Sequence, residues 1–381
     1  RSCPGGKCTK KRAPSVPRRP GPGRLAERPR QCQLTMSSVT VVMELTWCRG
    51  VYPDSANRMV VAVTRPDGSV LPDPRCDPDR RAFVRSAAKP AQAVGPVLDG
   101  TLERFGLDER HLAVACGSHN GSEVHTSLVV EILDAASVPH DALTPGDDGQ
   151  GGPLQHQCSG NHALVLAWCA ANGWPVDGYL QSDHPAQATM DRWVTWWLGV
   201  EPERAPDGCG MVAYRVALAD SARAFGRLAR AAAETVDDVR ATFVLPSEHT
   251  TTRSDRAEPS SSTGRGGAHR SSVVGDEAEA LVALGRCGAA MAAHPELVRW
   301  PGQLDTELML AAGDEGLVAK CGAEGFWACG TAGGWGLALR VLDGAVRAWP
   351  PAGMWAVRTL LADVLDSDLA TPVLDAIADP P

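Results

Sequence analysis

The chain has 381 residues, 44% of them hydrophobic and 22% charged, with a formal net charge of −8. That balance is ordinary for a soluble globular protein. No run approaches the roughly 20 apolar residues that a membrane-crossing helix needs. No apolar core of a secretory leader follows the basic start, so a cytoplasmic location is expected. The charge is unevenly placed: residues 1–35 carry ten Lys/Arg and one Glu, while 36–381 carry 27 basic and 44 acidic residues. An acidic body argues against nucleic-acid binding. The basic head, rich in Pro and Gly and without periodicity, is expected to be a disordered tail. Residues 36–381 then form one large domain.

In chain order, 37–44 and 58–65 read as strands. Asp67-Gly68 marks a hairpin turn between RMVVAVTR and SVL. From Ser86 to Leu98 apolar residues fall at helical spacing, with Pro90 tolerated near the start. The run HLAVAC (111–116) reads as a buried strand entering a Gly-Ser-His-Asn-Gly loop. Helices are expected at 123–136, 160–172, 185–198 and 216–233. Residues 237–275 are Ser/Arg/Gly-rich and aperiodic, and read as a disordered insertion. Helical pattern resumes over 276–294. GLVAK, GFWACG, GLALRVL and AVRAW read as short strands, with Asp343-Gly344 as a turn. A helix over 351–365 and a short one near the end complete the chain. Strands at both ends with helices between predict an α+β layered fold.

There are twelve cysteines, nine of them in the body with no C-x-x-C among them. Their spacing and apolar surroundings predict buried thiols rather than a disulfide framework. Lysine usage is more informative. After Lys11 only two lysines occur in 370 residues, Lys89 and Lys320. Surface charge has gone to arginine. Lysine can lose its proton when desolvated and guanidinium effectively cannot, so each retained lysine is a candidate base or substrate-ion partner.

Ser86-Ala-Ala-Lys89 places a hydroxyl and an amine on one helix face. A serine becomes a useful nucleophile when a neighbouring base takes its proton, which is the logic of the S-x-x-K hydrolases. Alone, the spacing also fits an ordinary surface Ser and Lys. In ACGSHNG (115–121), Ser118 sits among small residues that let backbone approach a ligand, or it caps the next helix. Cys158 in CSGNH and Cys209 in DGCG are thiols in polar, Gly-rich stretches. They could meet in space and bind zinc, or simply be buried. Lys320, just after a strand-like run and before Gly322, stands where the K-T-G strand of serine β-lactamases carries its cation.

Taken together, VRSAAKPAQAV, ACGSHNGSEVH, CSGNHALVLAWCAANGWP, DGCGMVAYRVALADSARAFGRLA, AAMAAHPELVRWPGQLDTELM and LVAKCGAEGFWACG resemble the rhizobial-type L-asparaginase family. They occur in family order over about 36–365, apart from the 237–275 stretch. The resemblance implies a fold similar to serine β-lactamases and penicillin-binding proteins, a homodimer, and hydrolysis of asparagine to aspartate and ammonia. It implies Ser86 as nucleophile with Lys89 as its base, and Ser118 with Lys320 as a second Ser-Lys pair. It places Arg85, His162 and Asp207 at the substrate pocket and makes Cys158 and Cys209 zinc ligands. One position departs: the family's C-S-G-K-H supplies a third zinc ligand from its Lys, and Asn161 stands there, which weakens the expected metal site. Two other readings compete. One is a different S-x-x-K hydrolase, such as a glutaminase or β-lactamase, although no S-D-N element is present. The other is a catalytically impaired homologue that binds a small amino acid.

Overall fold

The computed structural model describes residues 31–36, 42–234, 267–313 and 316–361. Most of the two stretches expected to be disordered lies outside these residues, as do 37–41 and the expected last helix. Two parts of those stretches are described. Gln31–Met36 is a strand, and Gly267–Ala293 is a helix that begins within the expected insertion.

Among the described residues nine strands form two antiparallel sheets. The larger uses β1 (Gln31–Met36), β2 (Met43–Arg49), β3 (Tyr52–Thr64), β7 (Leu317–Cys321), β8 (Phe326–Thr331) and β9 (Gly336–Val341), in the order β1-β2-β3-β9-β8-β7. The smaller uses β4 (Arg81–Phe83), β5 (Glu203–Pro206) and β6 (Val212–Ala217), ordered β4-β6-β5. Both chain ends thus contribute to the large sheet, and the helices come from between, as an α+β arrangement requires. Among the described residues no helix is long and apolar enough to cross a membrane.

Packing on the large sheet follows from its residue types. β8 (FWACGT) is buried throughout, the mark of a central strand covered on both faces. Alternation sends Phe326, Ala328 and Gly330 to one face and Trp327, Cys329 and Thr331 to the other. Against the first face lies the helix Leu218–Ala233, whose Leu218, Ala222, Phe225 and Leu228 recur at helical spacing and are buried. It rests directly on the strands: a Cβ on Gly330 would come 2.0 Å from the Phe225 carbonyl oxygen, and one on Gly336 would come 1.8 Å from that of Ala222. Against the other face lies Trp349–Leu360, where Gly353 makes room for Leu304 and Trp327.

Three expected elements form differently. HLAVAC is not a strand but part of the helix Glu109–Cys116. A six-residue apolar run does not choose between helix and strand by periodicity. Asp108 decides it: its Oδ1 accepts from the backbone N–H of Arg110 at 3.0 Å and of His111 at 3.3 Å, while His111 Nδ1 accepts the Asp108 N–H at 3.1 Å. That reciprocal pair is a capping box. The stretch 86–98 is not one helix. It is a 3₁₀ turn Arg85–Ala88 followed by short helices Lys89–Gln92 and Val94–Leu98. Pro90 and Pro96 remove the donors a continuous helix would need. AVRAW is likewise not a strand: Val346–Ala348 is 3₁₀ and the helix starts at Trp349, with prolines at its first positions. Asp343-Gly344 still makes its turn, without a following strand. The smaller sheet was not anticipated.

Candidate active site

The small sheet anchors the turn that carries Ser86. β4 pairs with β6, and the Val84 N–H extends that pairing to the Tyr214 carbonyl at 2.8 Å. The chain then turns sharply. Arg85 has φ of 54°, in the left-handed region, which costs an L-residue roughly 1–2 kcal/mol. The turn puts Ser86 and Lys89 in a 3₁₀ turn, where residues three apart eclipse and the Lys89 N–H bonds the Ser86 carbonyl. Ser86 is half-buried and Lys89 is buried.

Two lysines converge on one hydroxyl. The Glu109–Cys116 helix ends at Gly117, where any Cβ would strike the Leu297 carbonyl oxygen at 2.5 Å. That close approach lets the Ser118 N–H bond the Val298 carbonyl at 2.8 Å and fixes Ser118 in the interior. Lys89 Nζ donates to Ser118 Oγ at 3.2 Å and to the Gly117 carbonyl. From the edge strand β7, Lys320 Nζ donates to the same Ser118 Oγ at 2.9 Å and to the Cys321 carbonyl at 2.9 Å. Lys320 is completely buried, and desolvation pulls its pKa below the ordinary lysine value. Among the described residues neither amine has a carboxylate within ion-pair distance. The arrangement Lys89–Ser118–Lys320 is therefore a buried hydrogen-bonded chain rather than a charge pair, of a kind that can pass a proton.

Ser86 stands at the edge of that path. Among the described residues the hydrogen bonds of Lys89 Nζ do not include Ser86. Ser86 Oγ lies 3.8 Å from Cys158 Sγ instead. Cys158 precedes the helix Ser159–Asn172, and its thiol lies against that of Cys209. That contact, helped by the Lys89 charge, pulls Cys158 well below the ordinary thiol range, while Cys158 and burial push Cys209 up. One turn further on are Asn161 and His162. Asn161 Oδ1 and His162 Nε2 are buried without a hydrogen-bond partner among the described residues. His162 Nδ1 is paired with the Tyr179 hydroxyl at 2.7 Å, and burial lowers its pKa to about 3, so the ring is neutral. Arg85 and Asp207 do not face a ligand separately. They form a two-pronged ion pair, Nε to Oδ2 at 2.6 Å and Nη2 to Oδ1 at 2.9 Å.

The expected residues thus cluster as two neighbouring groups around Ser86. Ser118, Lys89 and Lys320 are joined by hydrogen bonds, and Cys158, Cys209, His162 and Asn161 flank them. The thiols offer zinc two soft donors and Asn161 an amide oxygen. Among the described residues no group of three His, Cys, Asp or Glu side chains is arranged to hold a metal. The donors fall short of the four strong ligands of a structural zinc site, so no chemical step is assigned to a metal here.

Sequence reading missed several supporting groups. His119 Nε2 pairs with Ser159 Oγ at 2.9 Å and its ring stacks on His125 at 5.0 Å. Asp305 is buried and accepts the Cys321 N–H at 3.0 Å and the Trp327 indole N–H at 2.6 Å, which holds β7 and Lys320 in register. An Asp in the middle of LDTELM gives no signal by composition.

A buried hydroxyl held between two amines, beside an S-x-x-K serine, is an arrangement chemically able to support a serine nucleophile. The L-asparaginase II family matches residues 45–247 and 261–380, and the chain belongs to it. A search of curated proteins finds no match.

Proposed function

We propose that the protein is an L-asparaginase that releases ammonia from asparagine through Ser86. The observation that supports this most is the convergence of Lys89 and Lys320 on Ser118 Oγ. Serine needs a base, and the base needs somewhere to send its proton. Lys89 in its neutral form accepts the Ser86 proton, and Ser118, hydrogen-bonded to both amines, relays protons between Lys89 and Lys320. For this the Ser86 hydroxyl swings from Cys158 towards Lys89. Its oxygen attacks the side-chain amide carbon, the C–N bond breaks, and the nitrogen leaves as ammonia with a proton returned along the same path. Water then hydrolyses the acyl-enzyme to aspartate and restores Ser86. His162 Nε2 and Asn161 Oδ1 supply polar groups that a bound amino acid can satisfy, and the Arg85–Asp207 pair fixes the wall next to Ser86.

The layered sheet with Lys320 on its edge strand supports a serine β-lactamase-like fold. A homodimer and a cytoplasmic location complete the reading, and sedimentation tests the former. Ammonia release from L-asparagine, absent in Ser86→Ala, tests the activity. A second reading, an amino-acid binder without hydrolysis, is favoured by the contact of Ser86 with Cys158 rather than Lys89. Calorimetric binding of asparagine without ammonia release would select it.

A further inference from the structure

Lys320 does not end the buried chain. Its strand neighbour Cys321 is buried, and Lys320 Nζ reaches Cys321 Sγ at 3.6 Å as well as the Ser118 hydroxyl. The thiol has two further partners. Arg299 Nη1 donates to its sulfur, and its own hydrogen turns to the Asp305 carboxylate. Burial holds the Cys321 thiol above its ordinary range in spite of the two cations, so it keeps that hydrogen. A guanidinium and a carboxylate thus stand on two sides of one thiol, beside the amine.

One short stretch of chain holds both groups. Asp305 lies in the first turn of the helix Leu304–Ala312, and its oxygens accept the Cys321 N–H at 3.0 Å and the Trp327 indole N–H at 2.6 Å. Next to it, Thr306 Oγ1 donates to the Arg299 carbonyl at 2.9 Å. The guanidinium lies over the rings of Trp300 and Trp349, with centroids at 4.8 and 5.5 Å. Arg299 is buried, and its Nε has no hydrogen-bond partner among the described residues. No carboxylate among them lies within ion-pair distance of it. A guanidinium effectively cannot shed its charge. Burying one without a paired carboxylate destabilises the fold, and placing it beside Lys320 adds repulsion. A residue kept only to fill the space between two indoles could be apolar and would bring neither penalty.

We infer that Arg299 and Asp305 are positioning residues for Lys320, acting from opposite sides of the Cys321 thiol: Asp305 supports the ammonium form and Arg299 the free amine. The charged and titratable groups around Lys320 are Cys321 on its own strand, Asp305 on the helix Leu304–Ala312, Arg299 in the loop before that helix, and Lys89 on the helix Lys89–Gln92. Burial is the largest influence and lowers the Lys320 pKa; Cys321 and Asp305 oppose it, and Lys89 and Arg299 add to it. This balance decides which of the two amines on Ser118 carries a proton, and its consequence for turnover rests on the proposed asparaginase reading.

Lysine scarcity makes the test direct. The chain holds five lysines, three of them within the first eleven residues. In full-length protein labelled with carbon-13 and nitrogen-15 only at lysine, the Lys320 side-chain signal is assigned by its loss in Lys320→Met. Its titration is followed by NMR in the wild type, Arg299→Met and Asp305→Asn, with thermal unfolding as the folding check. The midpoint is expected to rise by roughly one pH unit in Arg299→Met and to fall by roughly one in Asp305→Asn. Wild-type midpoints in both variants, or shifts in the same direction, would overturn the inference. If one variant does not fold, the other decides alone: a shift in its expected direction supports the inference, and no shift or the opposite one overturns it. Ammonia release from L-asparagine is measured on the same samples. Its absence from the wild type fails the asparaginase reading and leaves the titration result standing. Where release is seen, the limb of the kcat–pH profile that Lys320→Met removes should move in the same two directions. A limb that stays fixed in both variants overturns their part in turnover.

Discussion

The two sides of Ser86 are built by opposite rules. On one side, Lys89, Ser118 and Lys320 satisfy one another through hydrogen bonds, backed by the Gly117 and Cys321 carbonyls. On the other, Asn161 Oδ1 and His162 Nε2 are buried with no partner among the described residues, next to a thiol pair. Leaving a buried polar atom unpaired costs roughly 1–3 kcal/mol, so the second side is the less stable arrangement until something binds there. A closed network suits proton transfer, which needs fixed geometry. An open one suits recognition, which needs atoms with bonds to give.

The sharpest way to break this contrast is to change the closed side while keeping its charge. Lys89→Arg retains a cation but cannot act as a base, and turnover is expected to fall on the order of 10³-fold with the folded state intact. Retained turnover, measured by ammonia release beside circular dichroism, would remove Lys89 from its role. Lys320→Met should cost about 10²-fold in kcat, because Ser118 keeps only one amine. The same variant carries a pH signature. The folded-state pKa of Lys320 is depressed, so over the window below 10.5 the unfolded chain binds the extra proton and stability rises with pH. Lys320→Met should flatten that rise in denaturant titrations taken at several pH values.

Smaller effects are expected on the open side. Asp207→Asn releases Arg85 from its ion pair and should raise KM about tenfold while leaving kcat within a few-fold. Cys209→Ser should change turnover by less than about tenfold, and added zinc or a chelator should change it little, because three donors of mixed strength do not make a firm site. A large loss on chelation would show that the thiol side does chemistry after all. The buried histidines add an acid limit. His119 and His162 have pKa values lowered from 6.5 to about 3 by burial, so the folded state resists protonation that the unfolded chain accepts. Each removes roughly 1.4 kcal/mol of stability per pH unit below 6.5. Acid unfolding in a His119→Gln variant should begin at lower pH.

The closed side was legible in the sequence and the open side only partly. Lysine scarcity singled out Lys89 and Lys320 before any motif was considered, because arginine had taken over ordinary surface charge. The same bias hides any functional arginine among many, and the strained turn at Arg85 looks like any other chain until its φ is known. Cys158 and Cys209 stood out by their polar, Gly-rich settings, and only the family resemblance favoured a zinc pair over buried thiols, since residues 51 apart in sequence give no spacing rule. Helices with caps and full periods, such as Pro185–Leu198, fell where expected. The failures were short apolar runs, where HLAVAC and AVRAW carried no period and the flanking Asp108 or the Pro350-Pro351 pair decided the outcome.

The central claim is that Ser86 is a nucleophile served by the Lys89–Ser118–Lys320 path. The most direct test is ammonia release from L-asparagine by the purified protein beside Ser86→Ala, each checked for folding. The account expects steady release from the wild type and a loss on the order of 10³-fold in the variant. Release that persists in Ser86→Ala would place the nucleophile elsewhere, and no release from the folded wild type would leave a protein that binds an amino acid without cleaving it.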